Sequence, residues 1–416
     1  MSRARQVANF DPALFAADEV SGDKVSGGTI GAGTIGGSTV VNTSGAITTT
    51  GTATFSGDLV PSSPLSNRNM IINGGMQVWQ RATAATAASG YDTVDRWKMN
   101  ENSDGAMTSQ KHTMSLADLN TTGHATALQL DVTTADSSIA ASQYVYFLQN
   151  IEAQNLQHLQ YGTANAQTIT LSFWVKSNKT GVYNTHIYKS DTTTYNSFRE
   201  YTISSANTWE KKTITITPTA GSTTLITNSG GVINNDTGVG IQVGFGLAWG
   251  SNFHGTNDTW TASNLYATSN QVNWMDSTSN NFYITGVQLE LGSSATPFEV
   301  RSYTDEELRC HRYYVKWGNT GWMACAGSGS NYANGARLEL TVPMRANGSI
   351  SLTGNILNQV DSASTYTTSS SGYTIGIAYL QANGVVFNVT DLASNATVDN
   401  TPGIMSFGAG EISAEL

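Results

Sequence analysis

The stretch TITLSFWVK, Thr168 to Lys176, decides the fold class. Ile169, Leu171, Phe173 and Val175 hold one parity, while Thr170, Ser172, Trp174 and Lys176 hold the other. Successive residues of a strand point to opposite faces, so this alternation describes a strand with one buried side. The pattern recurs on both sides of it. KKTITITPT (211–219) turns Ile214 and Ile216 inward, and VGIQVGFGLAW (239–249) does the same with Val239, Ile241, Val243, Phe245 and Leu247, glycine keeping the outer face bare. NFYITGVQLELG (281–292) adds a further strand bounded by Gly292 and Pro297. Strands at this spacing, with turn signals and no helical segments between them, predict a sandwich or jelly roll over residues 66–300.

Downstream, TDEELRCHR (304–312) predicts a short helix, with Thr304 and Glu307 as a capping box and acidic residues in the first turn. Beyond it YYVKW, ARLELTVPM, SISLTGNI, YTIGIAYLQ and GVVFNVT alternate again, so a smaller β-domain is expected over 301–416. Upstream the character changes. In SGGTIGAGTIGGSTVV the pairs Thr29-Ile30, Thr34-Ile35 and Thr39-Val40 recur every five residues, and isolated apolar residues continue at Ile47, Phe55 and Leu59. One such strip offers too little apolar area for a core of its own, so several chains are expected to wind about a common axis. Three is the preferred count, with Ile30, Ile35, Val40 and Ile47 as trimerising residues of a stalk at 26–65. Residues 1–25 then form an attachment arm, and Pro61 and Pro64 break the repeat as a linker would.

Composition narrows the function. Only 12% of the 416 residues are charged, about half the ~25% usual in soluble proteins. Thr, Ser, Asn and Gly take their place, yet 39% of residues are hydrophobic, with 9 Trp and 17 Tyr, so the chain is expected to fold. A net charge of −10 without any Lys/Arg cluster argues against a nucleic-acid backbone as partner. No run of 18 apolar residues and no secretory apolar core occurs, which predicts no membrane insertion and synthesis in a cytosol. Cys310 and Cys325 are then expected as small buried hydrophobes rather than a disulfide. Gly31, Gly33 and Gly36 spell GxGxxG, but β-prone Gly37-Ser38-Thr39-Val40-Val41 follows where a dinucleotide site needs a helix. No cofactor is expected.

Candidate chemistry is sparse. Asp92 and Asp95 in YDTVDRW are the nearest approach to a carboxylate pair, and Asp95-Arg96 is read as a surface pair or turn cap. The six His are scattered and no nucleophile elbow or paired-Cys spacing occurs, so no enzyme is expected. Asn73 or Glu290 is a conceivable holder of structural calcium. Uncharged recognition of sugars uses aromatic faces with Asn, Thr and Asp for the hydroxyls. Trp174, on the outer parity of its strand, and Trp249, Trp260 and Trp274, in polar loop-like surroundings, are the candidate glycan contacts. Each has a competing role in packing between protomers or under loops. Trp79 and Trp97 are expected in the core, around a turn or bulge at Asn73-Gly74-Gly75.

Three segments carry a resemblance. NMIINGGMQVWQR with YDTVDRW (69–97), GVQLELGSSATPFEVRSYTDEELRCHRYY (286–314) and the final EISAEL resemble tail-fibre and receptor-binding proteins of tailed bacteriophages. TITLSFWVKSNKTG and ANTWEKKTITI also resemble the middle strands of carbohydrate-binding jelly rolls. The resemblance implies a virion protein, anchored to another virion component through its N-terminal arm and binding host surface polysaccharide. A structural head fibre or decoration protein, and a polysaccharide-degrading tailspike, are the alternatives.

Overall fold

The structure is a computed structural model that describes residues 67–318, 340–346, 348–349 and 410–416 with their side chains, and between them the backbone of the strands named below. The chain divides into two units, Met1–Val60 and Pro61–Leu416. The arm, the stalk residues Ile30, Ile35, Val40 and Ile47, and Gly31, Gly33 and Gly36 lie outside the described residues.

In chain order the first strands are β1 (Ala84–Ala85), β2 (Lys98–Asn102), β3 (Ala106–Thr113), β4 (Thr126–Thr134), β5 (Tyr144–Glu152) and β6 (Ile169–Ser177). There follow β7 (Gly181–Lys189), β8 (Tyr195–Ile203), β9 (Glu210–Ile216), β10 (Val239–Trp249), β11 (Trp260–Thr261) and β12 (Asn281–Leu291). They form two six-stranded sheets, β1-β3-β4-β12-β6-β9 and β11-β8-β7-β10-β5-β2. All their pairings are antiparallel. β10 is inserted between β5 and β7, and β12 between β4 and β6, by chain that crosses between the sheets; this is the order of a jelly roll.

The inward row read from TITLSFWVK is inside, Ile169, Leu171, Phe173 and Val175 all being buried, but Thr170 and Ser172 of the other parity are buried as well. On β10, Ile241, Val243, Phe245 and Leu247 are buried and Val239 is half-buried. The two inner faces meet through aromatic rings. Phe173 of the first sheet sits edge-on to Phe245 of the second at 5.0 Å, and Phe245 stacks on Phe147 at 5.1 Å. Trp97 is wholly inside, 6.0 Å from Phe147, whereas Trp79 is half-buried against the same core.

The opening stretch lies along the bulge of β12 and forms no strand before Ala84. Met70 N donates to Leu289 O (2.9 Å), and Val287 N donates to Gly74 O (2.9 Å), where the β12–β6 register shifts between Thr285 and Gln288. A Cβ on Gly74 would come within 2.1 Å of Val287 O, which is why this turn carries glycine. Asn73 holds the turn at φ 56°. Its side chain donates to Val78 O and Asp95 O and accepts from Gln77 N and Val78 N, while Glu290 accepts from Thr296 N and Gln288 Nε2. Both residues conceived as calcium holders are thus fasteners of backbone, and no group of three or more potential metal-binding side chains occurs among the described residues.

Two short helices accompany the sandwich, α1 (Leu116–Thr122) and α2 (Tyr303–His311). The predicted cap moves: Ser302, not Thr304, accepts from Asp305 N, because the helix begins a turn-fraction earlier at Tyr303. Glu306 points inward and accepts from Asn73 N (2.5 Å). Beyond α2, β13 (Tyr314–Trp317), β14 (Trp322–Gly327), β15 (Ala333–Glu339), β16 (Ser349–Leu352), β17 (Ile356–Asp361), β18 (Ser364–Thr368), β19 (Thr374–Gln381), β20 (Gly384–Thr390), β21 (Pro402–Ser406) and β22 (Gly410–Ser413) form a seven-stranded and a three-stranded sheet. Cys310 is buried with its thiol pushed well up by that burial, and Cys325 falls in β14, whose side chains lie outside the described residues. No described helix is long and apolar enough to cross a membrane.

Candidate functional site

On β10 the positions that alternate with the core residues include Gly244 and Gly246. They face outward from the second sheet, opposite Leu148 and Tyr146 of β5 and beside His186 and Asn184 of β7. Glycine leaves a bare patch of backbone on which rings lie flat. A Cβ on Gly244 would stand 2.1 Å from His186 Cε1, and one on Gly246 would stand 2.2 Å from Trp249 Nε1. The β10–β5 register then shifts between Gly246 and Ala248, which brings Trp249 opposite Tyr144 on the outer side.

The segment after β10 folds back across this patch. Tyr266 N donates to Phe253 O (2.9 Å) and Val272 N to Val182 O (2.9 Å). Asn270 Nδ2 donates to Glu200 Oε1 (2.9 Å), and Thr268 bonds the same carboxylate oxygen. Tyr266 is thereby laid over Trp249 with centroids 4.7 Å apart and planes 6° from parallel. Trp249 rests in turn on Tyr146 at 4.7 Å, and Tyr188 lies beside Tyr266 at 6.2 Å. Tyr144 and Phe253 close the edge at 5.9 and 5.2 Å from Trp249. Trp249 keeps only 6% of its surface exposed, while Tyr144, Tyr146, Tyr188 and Tyr266 are half-buried.

Polar groups under the stack go unmet. His186 Nδ1 and Nε2, Trp249 Nε1, Asn184 Oδ1 and Gln271 Nε2 are buried without a hydrogen-bond partner among the described residues. A buried polar group left unmet costs about 1–3 kcal/mol. Burial holds the His186 imidazole down to about 3, which keeps it neutral at physiological pH. Burial also pushes the Tyr146 phenol up to about 12. The face thus presents half-buried tyrosine rings over a buried neutral imidazole, a surface of the kind that meets the apolar faces and hydroxyls of sugars.

The four candidate tryptophans do not form one site. Trp249 is the centre of the stack, but Trp174 is half-buried on the outside of the other sheet, where its strand pairs with Lys211 and Thr285. Trp260 and Trp274 are corrections to the expectation of exposure, being 1% and 0% exposed. Their polar surroundings misled because the indole N–H groups bond backbone inside the fold: Trp260 Nε1 donates to Thr217 O (2.8 Å) and Trp274 Nε1 to Asn281 O (3.2 Å). Tyr144, Tyr146, His186, Tyr188 and Tyr266 were not singled out from sequence. The available signal was the pair of outward glycines, Gly244 and Gly246, together with the alternate tyrosines of YVYF (144–147).

The carboxylates near the start of the sandwich are also corrected. Asp92 Oδ2 accepts from Ser89 N (2.8 Å) as a turn cap, but Asp95 and Arg96 are no surface pair, both being 0% exposed. Asp95 accepts from Gln80 N (3.1 Å) and lies 3.7 Å from Arg81, and burial raises its carboxyl to about 6 against the pull of Arg81.

No protein-family model matches the chain, and no curated protein matches it. Among solved structures it is similar to the enzymatically active domain of tailspike protein 4 of bacteriophage CBA120, at 12% identity and a TM-score of 0.27, covering 54% of this chain and 21% of that one. It is similar to a sugar binding protein from Bacteroides thetaiotaomicron, at 13% identity and a TM-score of 0.31, covering 54% of this chain and 100% of that one. A family 11 carbohydrate-binding module from Clostridium thermocellum is also similar, at 10% identity and a TM-score of 0.25, covering 52% of this chain and 99% of that one.

Proposed function

We propose that the chain is a trimeric virion appendage of a tailed bacteriophage, a tail fibre that binds host-surface glycan without turnover, and that the aromatic stack on the outer face of the second sheet makes the contact. The observation that carries this is the uncharged stack of Tyr146, Trp249, Tyr266 and Tyr188 above five unpartnered buried polar atoms. The phage-fibre resemblance of 69–97, 286–314 and 411–416 supplies the setting. Single sugar contacts are weak, and three faces on one fibre turn them into avidity where the geometry allows joint engagement. The attachment arm at 1–25 is assigned to another virion protein.

The test is binding of labelled full-length protein to host cells before and after their surface polysaccharide is stripped, with wild type and Tyr266→Ala. Loss on stripping together with loss in the variant supports the proposal; binding indifferent to both refutes it. A second reading is favoured by the depth at which Trp249 is packed. On it the aromatics serve packing alone and the chain is a structural head fibre or decoration protein, which decorates particles yet never binds cells.

A further inference from the structure

The sandwich has a second feature of a built site, away from the aromatic face. At the end where the chain crosses from β5 to β6 and from β9 to β10 lies a cavity of about 360 Å³. Its floor is apolar, made of Leu156, Tyr161 and Ile233, all buried. Tyr161 is only 4% exposed, and its hydroxyl has no partner among the described residues. Gln160, Thr163 and Asn165 stand exposed around the mouth.

The walls are fastened without using those mouth groups. Gln157 Nε2 donates to Ile233 O (3.2 Å) and Asn234 O (2.9 Å), tying the turn after β5 to the crossing before β10, and Gly162 N donates to Ile226 O (2.8 Å). Thr163 Oγ1 donates to Gln160 O and accepts from Asn165 N, which fixes the backbone of the turn that carries the two carboxamides. Those carboxamides make no hydrogen bond of their own among the described residues. No charged side chain lines the cavity among the described residues.

We infer that this cavity binds a neutral saccharide ring. The C–H face of a sugar rests on the apolar floor, while the two uncommitted amides of Gln160 and Asn165, each able to donate and accept, meet its hydroxyls. A charged ligand would be desolvated with no counter-charge to receive it. The volume falls at the low end of the ~300–1,000 Å³ of small-molecule pockets, which suits a single ring rather than a long oligosaccharide. The ligand class rests on the glycan-binding reading above, but the two sites are separate and fail separately.

The experiment is ligand-observed saturation-transfer NMR on the full-length protein with glucose, galactose and N-acetylglucosamine, and glucuronate as the charged control. Wild type is compared with Gln160→Gly/Asn165→Ala and with Tyr266→Ala. Gln160 has φ 53°, so glycine there removes the amide without straining the backbone, and an unchanged thermal melt confirms that the double variant is folded. The expected result is transfer to at least one neutral sugar, reduced roughly tenfold in the double variant, as losing two hydrogen bonds implies, and retained in Tyr266→Ala. Transfer to no neutral sugar, transfer only to glucuronate, or transfer unaffected by the double variant overturns the inference. Failure of the aromatic-face reading shows instead as cell binding that survives Tyr266→Ala.

Discussion

Replacing Glu415 with Gln probes the contact that joins the residues around 411–416 to the sandwich. Glu415 Oε2 accepts from Arg96 Nη1 and Oε1 from Arg81 Nη2, the latter at 3.0 Å. The Arg96 side chain is 1% exposed; Nη2 donates to Asn150 O (2.7 Å), and the guanidinium lies 3.4 Å from the centroid of Tyr313. Burial is the strongest single influence and pulls this guanidinium down, but the Glu415 carboxylate, Tyr313, Tyr91 and Cys310 together leave Arg96 above its ordinary value. The amide keeps the shape and removes the charge, stranding one buried cation. Breaking a buried pair from one side costs about 3–5 kcal/mol. Arg81 retains Asp95 at 3.7 Å, so the lower end applies, about 3 kcal/mol. At about 2–4 °C per kcal/mol for a unit somewhat smaller than this one, the melting temperature falls by about 6–12 °C. Thermal and urea unfolding followed by tryptophan fluorescence measure it, since Trp97 reports from the core. Arg96→Met together with Glu415→Gln removes both charges and is expected to recover much of the loss. A single-variant cost below about 1 kcal/mol, or a double variant additive within about 0.5 kcal/mol, refutes the reasoning.

Asp95 gives a pH dependence with a definite sign. Its folded-state value is raised from 3.8 to about 6, so its contribution to stability is present below pH 3.8 and is lost as pH rises through 6. The upper bound of that loss is about 3 kcal/mol, and Asp95→Asn is expected to flatten the stability profile across this window, as urea titrations at stepped pH will show. Asn73→Ala removes four hydrogen bonds from a buried turn and is expected to cost about 2–4 kcal/mol by denaturant unfolding. Gly246→Ala drives a methyl against Trp249 Nε1; a cost of about 1–3 kcal/mol and a shifted tryptophan emission are expected, with glycan binding lost alongside. Deletion of residues 26–60 is expected to abolish the trimer in light scattering.

The fold was legible where side-chain parity alone decides burial. Every inward residue named in TITLSFWVK and KKTITITPT is inside, because a strand with one buried face has no other way to place its β-branched and aromatic side chains. The site was not legible in the same way. Trp260 and Trp274 sit among polar residues in the sequence, and what buries them is a backbone carbonyl supplied from elsewhere, Thr217 for the first. Trp249, read from sequence as an exposed candidate, is itself buried at 6%, and its neighbours Tyr146, His186 and Tyr266 come from three separate segments that only the folded chain brings together. Asp95-Arg96 reads as a solvated pair because neighbouring opposite charges usually are; nothing local reveals that Glu415 and Tyr313 complete the burial.

The buried Asp95-Arg96 pair belongs to a larger network built from three distant segments of the chain. Asn73 and Arg81 lie in the first segment, as do Tyr91, Asp95 and Arg96; Glu306, Tyr313 and Tyr314 lie in the second, and Glu415 and Leu416 in the third. They meet in one interior site. Asn73 N donates to Glu306, Arg81 stacks 3.6 Å over Tyr314, Ala414 N donates to Tyr313 O (2.7 Å), and Tyr91 Oη and Asn150 Nδ2 both donate to Leu416 O. Strands in the core accept many apolar residues of similar volume, so their sequences carry little individual character. A buried network of charges and amides accepts few, because each group left unmatched is costly in a medium of low dielectric. Substitutions among these clasp residues are therefore expected to cost more than volume-conserving exchanges in the core strands. Residues 69–97, 286–314 and 411–416 thus form the clasp that holds the last strand to the sandwich.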